Sequence, residues 1–123
     1  MTTFTITQGA TRTVKITNIV DGDEAPLDVT SWSVHAVARE NGVPGPVVAE
    51  WVSGNPGPGQ GQATPIGSEV HLEITPEMSS AWTWDIAALQ VEVTESGPSG
   101  RVERLVGTSE RPVWLVLDHE AVI

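Results

Sequence analysis

Glu69-Val70-His71-Leu72-Glu73-Ile74 and Ala87-Ala88-Leu89-Gln90-Val91-Glu92-Val93-Thr94 are the two stretches that decide the fold. In the first, Val70, Leu72 and Ile74 alternate with polar residues, which is the period of a strand with one buried and one wet face. In the second, Ala87, Leu89, Val91 and Val93 alternate with Ala88, Gln90, Glu92 and Thr94, so both aliphatic sets can face one core. Between them, Thr75-Pro76-Glu77 reads as an N-cap, a proline at the first helical position and an acid in the first turn. A short helical turn near 76–81 is therefore expected, with Trp82 or Trp84 delivered to the core directly after it.

Outward from this centre the chain reads as more strands. Phe4 and Ile6 alternate with threonines, Val14 and Ile16 with Thr13, Lys15 and Thr17, and Trp32 to Arg39 is apolar at every second position. Val47 to Val52 is a strand of undecided phase: either Val47, Ala49 and Trp51 or Val48 and Val52 face inward. The glycine- and proline-rich segment Ser53 to Gly67 reads as a long surface loop, of a kind that is uncommon in compact domains unless it is functional. After the central stretch, Ser96-Gly97-Pro98-Ser99-Gly100 turns the chain into a strand from Arg101 to Val106, and Val113, Leu115 and Leu117 mark the last strand. About eight short strands at regular spacing, in a chain of 123 residues, predict one domain over 1–123. The expected fold is all-β, a single antiparallel β-sandwich of immunoglobulin-like type.

Sixteen acidic against six basic residues give a net charge of -10, and Lys15 is the only lysine. Such a chain lacks the clustered cations that a nucleic-acid backbone or an anionic membrane requires, so neither partner is expected. Cysteine is absent, which excludes disulfides, thiolate metal sites and cysteine nucleophiles. No segment approaches the roughly 20 apolar residues of a membrane span, and Met1-Thr2-Thr3-Phe4 carries no export signal.

Candidate chemistry is sparse. Asp21, Asp23 and Glu24 could offer oxygen ligands to calcium, but the twelfth residue of an EF-hand loop starting at Asp21 would be Trp32 rather than glutamate, so a solvated turn is the better reading. His35, His71 and His119 lack zinc-ligand spacing, and no serine sits in a nucleophile elbow. No enzyme activity, cofactor or metal is expected. Five tryptophans with no tyrosine are the unusual feature. Trp32, Trp82 and Trp84 adjoin core strands, whereas Trp51 and Trp114 stand on ambiguous phases and could anchor a partner or stack on a sugar. The candidate partner contacts are Trp51, Asn55, Pro56, Pro58, Gln60 and Trp114.

Taken together, Ile6-Thr7-Gln8-Gly9, Leu27-Asp28-Val29-Thr30-Ser31-Trp32, Ala81-Trp82-Thr83-Trp84-Asp85-Ile86-Ala87, Val91-Glu92-Val93-Thr94, Gly97, Gly100 and Arg104-Leu105-Val106-Gly107 resemble the LtfC-like sandwich family. Its members are small β-sandwich proteins of tailed bacteriophages of actinobacteria, most of them minor tail or other virion proteins. The resemblance implies a non-enzymatic structural part of a virion, assembled in the host cytoplasm and tail-associated. Its partners would be other virion proteins, of tail or capsid, or further copies of itself in a symmetric ring. A capsid decoration protein and a carbohydrate-binding adhesion module that meets a host glycan are the alternatives.

Overall fold

A computed structural model describes residues 2–20, 23–42, 45–95, 100, 102–106 and 112–119, with backbone alone at 103–106. In chain order the elements are β1 (Thr2–Thr7), β2 (Arg12–Ile16), β3 (Ser33–Glu40), β4 (Val47–Val52), β5 (Gln60–Ile66), β6 (Glu69–Ile74), α1 (Pro76–Ser80), β7 (Ile86–Thr94), β8 (Val102–Val106) and β9 (Val113–Asp118). The protein is thus nearly all β, with one short helix among the described residues. The helical turn stands where the capping pattern predicts it: the Thr75 side chain accepts from the Met78 N–H, Pro76 opens the helix and Glu77 lies in its first turn. Such a cap contributes about 1 kcal/mol.

β7 is the hub. One of its edges pairs with β3 along Ser33 to Glu40. The opposite edge is shared, with Ile86 to Ala88 opposite β9 and Val91 to Thr94 opposite β8. Eight strands follow one hydrogen-bonded path, β1-β9-β7-β3-β4-β5-β6-β2, and β8 joins it at β7. The two ends of that path, β1 and β2, both line one cleft, so this single mixed sheet curls nearly into a barrel.

The expectation of a wholly antiparallel arrangement is corrected, because β1 runs parallel to β9 and β4 parallel to β5. Alternation within a strand reports which face is buried, and it carries no information on the direction of the neighbour. The β4–β5 pairing spans only Glu50–Val52 against Gln60–Gln62, so residues 53–59 need to double back by a few residues rather than cross the whole sheet.

The larger correction concerns Ser53 to Gly67. Only its first half is a loop, since Gln60–Ile66 is β5. This strand changes partner midway: Gln60 to Gln62 lie against β4, and Ala63 to Ile66 lie antiparallel to β6. It thereby turns the corner between two parts of the sheet. Its glycine and proline concealed it, and each has a reason. A methyl group on Gly61 would meet Trp51 Cδ1 at 2.5 Å and Nε1 at 2.7 Å, so the tryptophan is accommodated only where no side chain stands. Pro65 follows the point where β4 has ended, on a stretch paired with β6, and a proline is tolerated where no ladder donor is required.

The core gathers the inward set of each strand, including Ile6, Val14, Ala36, Leu72, Leu89, Val91 and Leu115. Their position after the turn predicts that Trp82 or Trp84 is buried, and both are. They stack at 5.0 Å with a 38° tilt, and Trp51 meets Trp82 edge-on at 6.3 Å. The indole N–H of Trp84 has no hydrogen-bond partner among the described residues. A polar fastening ties β1 to this corner: Gly9 N–H donates to the buried Ser79 hydroxyl at 2.8 Å, and the Gln8 amide donates to the carbonyls of Trp82 at 2.9 Å and Ser80 at 3.3 Å.

Candidate functional site

β4 resolves its phase by placing Ala49 and Trp51 inward, with Val48, Glu50 and Val52 half-buried on the other side. Trp51 is 0% exposed, its Nε1 donates to the Glu73 carbonyl at 2.9 Å, and its ring edge rests on Trp82. It therefore has no surface to offer a partner, and its reading as a contact residue is corrected to a core role. The physical reason is the change of partner in β5, which draws Gly61 beneath the indole and covers it.

Of the remaining candidates, Asn55 and Pro58 are exposed and Pro56 is half-buried in the loop 53–59. Gly54 and Gly59 adopt φ of 84° and 80°, which lets the chain reverse within this short span. Gln60 is a brace rather than a free contact. Its Nε2 donates to Glu50 Oε1 at 3.0 Å, and its Oε1 accepts from the Gly57 N–H at 2.8 Å. Glu50 accepts a second bond from His35 Nε2 at 2.6 Å. The Gln60 amide and then His35 hold the Glu50 carboxyl below its ordinary range, because both stabilise the ionised form. Asp28 is held low in the same way by the Thr30 hydroxyl and backbone N–H.

Trp114 is placed differently. Its neighbours Val113 and Leu115 are buried, whereas Trp114 lies half-buried on the opposite face of β9. The register sets it opposite Ala88, which is itself opposite Arg39, and sets Val116 opposite Ile86. The far edge of the indole rests along the turn after β3, where a methyl on Gly42 would stand 3.4 Å from Trp114 Cη2. Arg39 is held in place by Gln90 Oε1 at 3.1 Å and the Gly45 carbonyl at 3.2 Å. The result is a tryptophan beside a small residue, flanked by Ile86 and Val116, with a fixed guanidinium at its margin. Three strands contribute to this patch, so no single stretch of sequence announces it.

The histidines do not converge. His35 meets Glu50, His71 Nε2 meets Glu69 at 2.8 Å, and His119 Nε2 meets Asp85 at 2.8 Å. Nδ1 of His119 faces Gln8 Oε1 at 3.3 Å, so neither ring nitrogen is directed at a serine hydroxyl. Among the described residues no group of three or more His, Asp or Glu side chains could hold a metal ion. The Asp21 and Gly22 portion of the acidic turn lies outside the described residues, as does the turn at 96–99. No helix of the described residues is long and apolar enough to cross a membrane.

Sequence reasoning missed a cleft of about 460 Å³ between the segment Asn18, Ile19, Val20 and Pro26 and the β5–β6 turn. Val20 and Ile66 stand exposed at its rim, and only their convergence in space reveals it. In comparison with known proteins, the sequence matches no protein-family model and no curated protein.

Proposed function

We propose that this chain is a non-enzymatic structural module that works by protein–protein contact, with Trp114 as the anchor of its contact face. The single observation that carries this reading is the placement of Trp114 outside the core, on a face made with Ile86, Ala88, Val116 and the braced Arg39. Tryptophan and arginine are the residue types that dominate binding energy at protein interfaces. A large aromatic left half-exposed beside apolar neighbours acquires its burial when a partner covers it.

The fold is read more finely as an immunoglobulin-like β-sandwich. Support comes from the change of partner in β5, which lets β1-β9-β7-β3-β4 and β6-β2 stand as two layers joined at that strand. With the resemblance to LtfC-like proteins, this makes a tail-associated subunit of a phage virion the leading role, and a capsid decoration protein the second. Mass spectrometry of heads and tails separated from purified particles tests it. A few copies in the tail fraction support the first role, hundreds in the head fraction support the second, and absence from both fractions overturns the virion reading. The glycan alternative now rests on Trp114 alone, because Trp51 is buried.

A further inference from the structure

We infer that the seam between β1 and β2 is a docking site for an extended, acidic peptide segment, added as a strand along the free edge of β2. This site is separate from the Trp114 face and stands independently of the virion reading. β1 and β2 are the two ends of the hydrogen-bonded path, and among the described residues each is paired on one edge only: β1 with β9 and β2 with β6. Every strand edge carries outward N–H and C=O groups, and an uncovered edge is a template for another chain. Between the two edges lies a cleft of about 260 Å³, lined by Thr2 and Phe4 of β1, Lys15 and Ile16 of β2, Thr17, Asn18 and Val113. Phe4, Ile16 and Val113 give it an apolar floor, suited to the alternate side chains of an added strand.

Charge selects the occupant. The side chains described for this strongly acidic protein include three basic ones, Arg12, Lys15 and Arg39, and two of them sit on β2. Arg12 shares the phase of Val14 and Ile16 and lies 6.0 Å from the Phe4 ring centroid, across the seam. Lys15 stands on the outer phase, opposite His71, where the glutamates of a strand with its apolar set on the cleft floor would lie. Neither cation forms an ion pair with a described carboxylate, whereas Arg39 is already bound by Gln90 and Gly45. Glu69 is engaged by His71, and Glu73 stands opposite Thr13. At physiological salt the screening length is about 8 Å, so an approaching strand responds to these local cations more than to the distant net charge. A second copy meeting β2 edge to edge would instead set like charges against each other.

The probe is a synthetic eight-residue peptide of alternating glutamate and valine, with an alternating lysine–valine peptide and a proline-interrupted glutamate–valine peptide as controls. Titration followed by amide NMR and hydrogen exchange of the full chain is expected to show binding of the acidic peptide alone, with new protection confined to 12–16. The Arg12→Glu/Lys15→Glu double variant should lose at least tenfold in affinity for the acidic peptide and gain the lysine–valine peptide in its place, which separates lost recognition from lost folding. Equal binding of the proline-interrupted peptide, protection away from β2, no effect of charge reversal, or no binding at millimolar peptide each overturns the proposal. So does concentration-dependent dimerisation that protects 12–16 without peptide, which would make a second copy the occupant.

Discussion

Trp51 and Trp114 are the same residue type, each on a strand rich in aliphatic residues, yet one is fully buried and the other lies on the outer face. Trp51 is enclosed by Trp82, Gly61 and the Glu73 carbonyl, so both its ring and its N–H are satisfied within the fold. Trp114 lies opposite Ala88 with the far edge of its indole along Gly42, and it keeps part of its surface open. The difference teaches that a tryptophan's role follows from what the neighbouring strands bring beneath it. A strand that turns its pleat inward and finds a glycine there makes a core; one that turns outward beside an alanine leaves its tryptophan partly open, as on the face proposed for contact.

The comparison breaks most directly at Trp51. Trp51→Ala should destabilise the fold by about 3–5 kcal/mol, the cost of emptying a buried aromatic site, seen as a large drop in the chemical-denaturation midpoint. A negligible shift would show that the indole is not the enclosed group described here. Gly61→Ala attacks the same site from below and should cost about 1–3 kcal/mol through overpacking. Combining Gly61→Ala with Trp51→Leu should cost less than the sum of the single changes, since the methyl then enters space the indole has left. A double-mutant cycle measures this coupling, and strict additivity would mean the two residues do not press on each other.

Trp114→Ala should change stability by only about 1 kcal/mol while removing the anchor of the contact face. Comparing partner capture by the wild-type chain and by Trp114→Ala reads the second effect, and loss of folding comparable to Trp51→Ala would move Trp114 into the core. The smallest expected effect is that of pH. Glu50 and Asp28 bind protons less readily folded than unfolded, so their contribution is fully present above the ordinary carboxylate range and is lost as pH falls through their depressed values. Removing the first cause with Gln60→Ala should flatten the acid limb of the stability–pH curve slightly. An unchanged limb would show that the Gln60–Glu50 bond carries no weight in solution.

How much was legible depends on how local the determining interaction is. The β6–α1–β7 unit could be read because alternation, a capping threonine and a proline at the helix start act within a few residues of one another. The same alternation located β3 and β9, and the place of Trp82 and Trp84 after the turn predicted that one or the other is buried, where the structure buries both. β5 escaped because Gly61 and Pro65 lower strand propensity, and the compensation comes from pairings that side-chain alternation does not encode: Trp51 above Gly61, and β6 alongside Pro65. Part of the candidate site was legible for the same reason and part was not. Trp114 could be singled out as a tryptophan of uncertain phase, but its flanking Ala88, Ile86 and Arg39 come from other strands.

By itself the sequence determined a nearly all-β chain with one capped helical turn and the buried faces of its most regular strands, because side-chain period and capping are short-range physics. Tertiary structure alone decided the parallel pairings, the phase of β4, the enclosure of Trp51, the outer patch around Trp114 and the open seam beside β2. Each of these depends on which strands become neighbours, and that choice is made by the burial of all the faces together rather than by any one stretch.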